Sequence, residues 1–179
     1  MKVFISGGCK NGKSAYAQEL ACKMRKPDAP LYYIATMIPA DEEDETRITK
    51  HRKDRESYGF ETIEAGRDIL AAVRMSDKRG TFLLDSVTAL LANEMFPADG
   101  RAEPDAYIKV ADDLAQLVAE ISDMVIVSDF IYSDAYQYDE LTEAYRRGLA
   151  CIDRRIAKIC EAVIEASAGV FFVYKSAAQ

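Results

Sequence analysis

Positive charge and metal-binding side chains are scarce in this chain of 179 residues. It has 23 lysines and arginines against 30 aspartates and glutamates, and no basic face is evident that would neutralise a run of phosphates. We therefore expect no nucleic-acid partner. The four cysteines form no C-x-x-C pair and a single histidine is present to join them, so the usual zinc-binding patterns are excluded and reduced thiols are expected.

Long apolar runs are missing as well. The run at residues 3–5 is too short for a signal peptide, and no later run is long enough to cross a bilayer. We therefore expect a cytoplasmic protein without a membrane span. Hydrophobic residues still make up 49% of the chain, which suffices for one well-buried domain at this length but not for two.

The most specific motif lies at the beginning of the chain. Residues 2–6 predict a short buried strand, and residues 7–14 follow at once with G-G-C-K-N-G-K-S, which matches the P-loop pattern G-x-x-x-x-G-K-S. An alanine-rich helix is predicted from Ser14 onward. A glycine turn that matches by chance is the alternative, but the strand before the motif and the helix after it favour nucleotide binding.

Each residue type in this loop has a chemical role. Gly7 and Gly12 permit backbone angles at which successive N–H groups converge on a phosphate at the positive end of the helix. Lys13 would reach the β- and γ-phosphates and serve catalysis, and Ser14 would offer its hydroxyl to Mg²⁺. The predicted phosphate-binding residues are Gly7, Gly8, Cys9, Lys10, Asn11, Gly12, Lys13 and Ser14.

Further apolar segments predict the other strands of a mostly parallel sheet. They are residues 31–36, 60–64, 80–85, 124–129 and 169–174. Ligands of such sheets lie outside the carboxyl ends of the strands, so Ala35 and Thr36 are predicted nucleotide neighbours. Asp85 ends its strand like a Walker B acid, placed to hold Mg²⁺ directly or through water, although buried strands often end in aspartate. Ser128 and Asp129 either face a second substrate or cap their strand.

Helical patterns occupy most of the remaining sequence. They are residues 68–75, 87–96, 104–122 and 139–167, and the last is an apolar stripe for which a coiled coil is the weaker alternative. The alternation of strands and helices predicts a single P-loop α/β domain over residues 1–179, with a mostly parallel sheet and helices on both faces.

A polar helix is predicted from residue 41 to about residue 55, with acidic residues in its first turn. Arg47, His51 and Arg55 are spaced four residues apart and share one face. A solvated charged helix with an incidental histidine is one interpretation. In the other, the arginines bind phosphate oxygens and His51 acts as nucleophile or acid/base, since cationic neighbours favour the neutral imidazole.

The P-loop, the polar helix and the Asp85 strand, in this order, resemble the bifunctional adenosylcobinamide kinase/adenosylcobinamide-phosphate guanylyltransferase family of cobalamin synthesis. The resemblance is strongest over residues 1 to about 95. The motifs that carry it are Gly7-Gly8-x-x-x-Gly12-Lys13-Ser14, Tyr33-Ile34-Ala35-Thr36, Arg47-Ile48-x-x-His51-x-x-x-Arg55, Thr62-x-Glu64 and Leu83-Leu84-Asp85-Ser86.

The resemblance implies both a reaction and its site. His51 would accept GMP covalently from GTP and pass it to adenosylcobinamide phosphate, and phosphorylation of adenosylcobinamide is the second implied activity. A histidine phosphoramidate divides nucleotidyl transfer into two displacements, while Lys13, arginines and Mg²⁺ offset charge on the phosphates.

GTP or ATP and a corrinoid are the implied substrates, and a homotrimer is the implied assembly. The residues predicted near the nucleotide, besides the loop, are Ala35, Thr36, Arg47, Arg52, Lys53, Asp54, Arg55, Glu64 and Asp85.

The C-terminal half departs from the family pattern in two places. Members usually have Asn-Glu-Val-Gly where this chain has residues 128–131, and Gly-x-x-Asn where it has residues 150–153. Two other functions therefore stay open. A P-loop kinase of another small molecule would use His51 only to bind phosphate. A nucleotide-binding sensor or assembly partner would catalyse no transfer, but it would have no need of a histidine nucleophile.

Overall fold

The computed structural model describes residues 1–39, 42, 46, 49, 52, 53 and 56–176. The strands are β1 (Lys2–Gly7), β2 (Leu31–Ala35), β3 (Glu61–Glu64), β4 (Thr81–Asp85), β5 (Asp123–Asp129), β6 (Ala162–Ser167) and β7 (Val170–Lys175). The helices with described bounds are α1 (Lys13–Met24), α2 (Ile69–Ala72), α3 (Val87–Met95), α4 (Ala106–Glu120) and α5 (Glu140–Ile159). None of the helices in this part of the chain is long and apolar enough to cross a membrane.

The seven strands in the described part of the chain form one sheet in the order β3-β2-β4-β5-β1-β6-β7. All neighbouring pairs are parallel except β6 and β7, which are antiparallel. Parallel strands need crossover connections, and the helices provide them. The predicted α/β fold with a mostly parallel sheet is confirmed.

Helices cover both faces of the sheet. On one face, α1 places Ala17 and Ala21 against alternate residues of the central strands, such as Leu83. On the other face, α2 to α5 enclose a larger apolar cluster that contains Phe82 and Leu84. Since successive side chains of a strand point to opposite faces, β4 contributes to both clusters.

The carboxyl ends of the parallel strands meet at one edge of the sheet. Gly7 of β1 is in register with Asp129 of β5, and Ala35 of β2 is in register with both Asp85 of β4 and Glu64 of β3. The sheet therefore brings the P-loop and the predicted acidic residues to the same edge.

The helix predicted to continue to residue 167 ends at Ile159, and that prediction was wrong for residues 162–167. Cys160 has an extended backbone after α5, and β6 then pairs with the free side of β1. Val163 and Ile164 continue the apolar stripe of the helix in sequence, but as a strand they complete the hydrogen bonding of β1, whose other side is occupied by β5. The long-range pairing outweighs the local helical pattern.

A tight turn joins β6 to β7. Ala168 and Gly169 have φ of 48° and 79°, as expected of a two-residue hairpin turn with both central residues in the left-handed region. The hairpin is held against α1 because Phe171 stacks on Tyr16, with ring centroids 3.9 Å apart. The hairpin thus forms one edge of the sheet and packs against the P-loop helix α1.

We predict that Leu84→Ala lowers the free energy of unfolding by about 2–5 kcal/mol, because Leu84 is fully buried in β4 and its loss leaves a cavity. Urea denaturation followed by circular dichroism measures the change. Met75→Ala is the control, since Met75 is 93% exposed and its loss should cost less than about 0.5 kcal/mol. Equal losses in the two variants would contradict the assigned packing.

Candidate nucleotide-binding site

The loop between β1 and α1 has glycine at two positions where its backbone requires it. A Cβ on Gly7 would lie 2.2 Å from the backbone oxygen of Ala166 in β6, closer than any side chain tolerates. Gly12 precedes α1 with φ of 81°, in the region that other residues rarely adopt. The loop can therefore pass close to β6 and turn sharply into the helix, whose first N–H groups lack intrahelical partners and face the loop.

The residues between these glycines form the outer part of the loop. Gly8 is half-buried, Cys9 and Lys10 are exposed, and Lys10 has φ of 58°. Asn11 is half-buried and its Nδ2 donates to the backbone oxygen of Ala166 at 3.2 Å. The loop is thus tied to β6 by a side-chain contact as well as by the close approach at Gly7.

Lys13 is buried in the first turn of α1, with 5% of its surface exposed. Its ammonium group donates to the backbone oxygen of Gly8 at 2.6 Å and forms an ion pair with Asp129 Oδ1 at 2.8 Å. An ammonium group is costly to bury without such partners, so the two contacts fix it inside the loop. The structure therefore places the carboxylate of Asp129, at the end of β5, on the lysine of the P-loop.

Ser14 and Asp85, the predicted Mg²⁺ ligands, are both half-buried. Asp85 lies on the α1 face of the sheet, and the hydroxyl of Tyr33 donates to its Oδ2 at 2.9 Å. Only β5 stands between β4 and β1, so the ends of these two strands are about 10 Å apart. Hydroxyl and carboxylate oxygens suit Mg²⁺, which usually binds one or two protein groups and adds waters and phosphate oxygens. The donor set therefore fits this ion.

Thr36 fastens the end of β2 to the end of β4. It is fully buried; its hydroxyl accepts from the Ser86 N–H at 2.7 Å and donates to the Ser86 backbone oxygen at 2.8 Å. Asn93 Nδ2 donates to the Thr36 backbone oxygen at 2.7 Å. Ala35 is half-buried and accepts from the N–H of Ala65 at 2.8 Å. The geometry gives Thr36 a positioning role beside Asp85, while direct contact of either residue with a nucleotide stays a prediction.

The polar helix is described only in part. Arg52 and Lys53 are helical and exposed, and Arg52 forms an ion pair with Glu64 at 2.7 Å. That contact joins the helix to the end of β3, at the same edge of the sheet as the P-loop. The predicted residues Arg47, His51, Asp54 and Arg55 lie outside the described residues, so the nucleophile stays a prediction.

A buried carboxylate lies close to the P-loop on the other face of the sheet. Asp153 of α5 is 4% exposed, and its Oδ2 accepts from the Ser128 hydroxyl at 3.0 Å and from the Tyr132 hydroxyl at 3.1 Å. The two segments that depart from the family pattern, residues 128–131 and 150–153, therefore contact each other. The sequence signal for this site is an acid within the apolar stripe of a helix.

Burial raises the pKa of Asp153 to about 7, and the nearby negative charge of Asp129 acts in the same direction. The hydroxyls of Ser128 and Tyr132 lower the pKa of Asp153, but they do not offset its burial. Burial and the neighbouring carboxylate also raise the pKa of Tyr132, so its phenol remains a donor. Asp153 thus changes charge close to neutral pH.

The fold and the loop together define a P-loop nucleotide-binding protein of the α/β class. Two solved structures share the fold. The flagellar accessory protein FlaH of Methanocaldococcus jannaschii has a TM-score of 0.52 at 14% identity, over 98% of this chain and 78% of its own. The protein PH0250 of Pyrococcus horikoshii OT3 has a TM-score of 0.53 at 8% identity, over 99% of this chain and 87% of its own.

The chain belongs to the cobinamide kinase / cobinamide phosphate guanyltransferase family, whose model matches residues 3–173. It is therefore a member of an enzyme family of adenosylcobalamin biosynthesis. The match includes the C-terminal half, where the sequence motifs are weakest.

Curated relatives agree with this assignment. The bifunctional adenosylcobalamin biosynthesis protein CobP of Pseudomonas aeruginosa is 28% identical over 95% of both chains. The bifunctional protein CobU of Salmonella typhimurium is 25% identical over 91% of this chain and 93% of its own. CobU of Escherichia coli is 28% identical over 70% of this chain and 66% of its own length.

We predict that the free energy of unfolding of Asp153→Asn, relative to that of the parent, is higher at pH 8 than at pH 5. The raised pKa makes the folded protein bind a proton that the unfolded chain has released, so the stability that Asp153 contributes is present below about pH 4 and is lost as the pH rises through about 7. The full change amounts to about 4 kcal/mol, of which about 2.5 kcal/mol falls between pH 5 and pH 8. Asparagine can still accept both hydroxyl hydrogen bonds.

Urea denaturation of both proteins from pH 5 to pH 8 measures this effect. Asp112→Asn is the matched control, because Asp112 is 61% exposed and should show no such trend. The prediction fails if the stability difference between Asp153→Asn and the parent is the same at both ends of the range.

Proposed function

We propose that the chain transfers GMP from GTP to adenosylcobinamide phosphate through a covalent adduct on His51, and that it also phosphorylates adenosylcobinamide. The observation that supports this most directly is the P-loop, which places a buried ammonium group in the first turn of α1, in contact with Gly8 of the loop. The family match across residues 3–173 supplies the substrate class.

In the first transfer step, an imidazole nitrogen of His51 attacks the α-phosphorus of GTP. The bond between the α-phosphorus and its bridging oxygen breaks, and pyrophosphate leaves with the bonding electrons. A phosphate oxygen of the corrinoid then attacks the same phosphorus and releases the imidazole. Two displacements replace one difficult step, which is the benefit of covalent catalysis.

Lys13 stabilises the negative charge that develops on the departing pyrophosphate. Its ammonium group is already desolvated and contacts Gly8 and Asp129, so its positive charge lies in the loop before phosphate oxygens enter. A triphosphate competes with the carboxylate of Asp129 for this group. Mg²⁺ held by Ser14 and Asp85 would offset further charge on the phosphates.

The kinase step requires less of the protein. The hydroxyl of adenosylcobinamide attacks the γ-phosphorus of ATP or GTP and releases its proton to water, and the nucleoside diphosphate leaves. Positioning and charge neutralisation by the P-loop supply most of the catalysis in such reactions. The same loop can therefore serve both activities.

The resemblance to the family also supports two proposals on the assembly of the protein and its location in the cell. We infer that the chain assembles as a homotrimer, in which the polar helix around His51 meets a neighbouring subunit, and that it acts in the cytoplasm. Glu42, Thr46, Thr49, Arg52 and Lys53 of this helix are all exposed in the single chain, which leaves that surface available for such a contact.

We predict that incubation with GTP and Mg²⁺ adds one GMP to the protein and that His51→Ala abolishes the addition. Intact-protein mass spectrometry measures the mass gain, which should be acid-labile because it is a phosphoramidate. Thr49→Ala on the same helix is the control and should label like the parent. Labelling that survives in His51→Ala would exclude His51 as nucleophile, and no labelling of the parent would favour a plain kinase.

We predict that Lys13→Ala weakens nucleotide binding by at least about tenfold, because a charge-assisted contact to the phosphates is lost. Isothermal titration calorimetry with GTP measures the affinity. Lys23→Ala removes an exposed lysine from the same helix and should leave the affinity unchanged. Equal affinities for Lys13→Ala and the parent would show that the P-loop does not hold the phosphates.

A further inference from the structure

A cavity of about 540 Å³ lies on the sheet face opposite α1. Its floor is the face formed by β1 and β6, and α5 forms one wall. Phe130 and Tyr132, in the loop after β5, and Tyr174 of β7 bound it. A volume of this size is typical of small-molecule sites.

Two polar side chains in this cavity have unused hydrogen-bonding capacity. Asp153 is 4% exposed and Oδ2 accepts both of its hydrogen bonds, while Oδ1 has no partner among the described residues. Ser6 Oγ is also buried without a partner in that part of the chain. Buried polar atoms are normally paired, so two unpaired ones lining the same cavity indicate a ligand that supplies their partners.

The remaining lining of the cavity is mostly apolar, and its charged members are Arg154 and Glu165. Phe4, Ala157 and Val163 lie along its inner part, whereas Phe130 is 46% exposed and Tyr174 is 71% exposed at its mouth. An apolar recess with few polar groups selects a ligand segment that has carbon next to a hydrogen-bonding end. Exposed aromatic rings at the mouth can contact a large planar ring system that stays outside the cavity.

The cavity is next to the phosphate site but separate from it. Gly7, the first residue of the P-loop, lines it, while Lys13 lies on the α1 face. Two consecutive residues of β5 serve the two faces: Ser128 contacts Asp153 beside the cavity, and Asp129 contacts Lys13. A nucleotide held on the α1 face leaves this cavity to the second substrate.

We propose that the cavity binds a carboxamide-bearing side arm of the corrinoid acceptor, an inference that rests on the proposed function. Cobinamide is a tetrapyrrole ring with amide side arms and is larger than the cavity, so only an arm can enter. Its amide N–H donates to Asp153 Oδ1, and its carbonyl accepts from the Ser6 hydroxyl. The methylene groups contact Phe4 and Val163, and the ring rests against Phe130 and Tyr174.

A steric test distinguishes this cavity from the phosphate site. Ala157→Met fills the cavity from α5, and Lys158→Met places the same side chain at the adjacent exposed position. Isothermal titration calorimetry with cobinamide and, separately, with GTP measures both affinities on folded protein. We expect Ala157→Met to weaken cobinamide binding by at least about tenfold, with GTP binding unchanged and Lys158→Met like the parent.

A second experiment tests the proposed hydrogen bonds of Asp153 without altering the protein. A corrinoid whose side-chain amides are hydrolysed to carboxylates should bind the parent at least about tenfold more weakly than cobinamide at pH 8, because Asp153 would face another carboxylate. Equal binding of the two corrinoids would overturn the proposed contact with Asp153.

The remaining outcomes separate this inference from the proposed function. If Ala157→Met weakens GTP binding and spares cobinamide, the cavity holds the nucleobase and the inference is overturned. If neither affinity changes, the cavity is not a substrate site, although the GMP adduct on His51 can still form. If the parent binds no cobinamide, both the inference and the corrinoid specificity fail.

Discussion

The buried ammonium group of Lys13 is the interaction on which the rest of the site depends. Burial of a charge is unfavourable unless partners are provided, and this lysine takes them from the loop itself and from the end of β5. The position of β5 between β1 and β4 makes the second contact possible. The order of the strands and the conformation of the loop therefore both determine where this cation lies, and we predict that a phosphate group binds to it there.

The C-terminal half of the chain reaches the same edge of the sheet through a different arrangement. Ser128, Tyr132 and Asp153 form one hydrogen-bonded cluster, although they come from a strand, a loop and a helix. The two segments that differ from the family pattern are therefore a single unit in space. Their differences are better regarded as one altered wall of the site than as two independent losses.

The parts of the site that could be predicted from the sequence are those whose chemistry requires fixed local spacing. The loop between β1 and α1 and the position of Asp85 at the end of β4 are of this kind, whereas the roles of these residues toward nucleotide and Mg²⁺ stay predictions. The strand β6 could not be predicted, because Val163 and Ile164 continue the helical stripe and only the unpaired side of β1 makes them a strand. Nor could the contacts of Lys13 with Asp129 and of Asp153 with Ser128, since both join residues that are distant in the chain. The role of His51 stays a prediction from the family motif.

The opposite orientation of Ser128 and Asp129 has a thermodynamic consequence. Their backbone atoms are joined by one peptide unit, so a ligand that displaces β5 from one face of the sheet also moves the side chain on the other face. Occupation of the cavity and occupation of the P-loop are then linked, and linkage is reciprocal: each ligand changes the affinity of the other by the same factor.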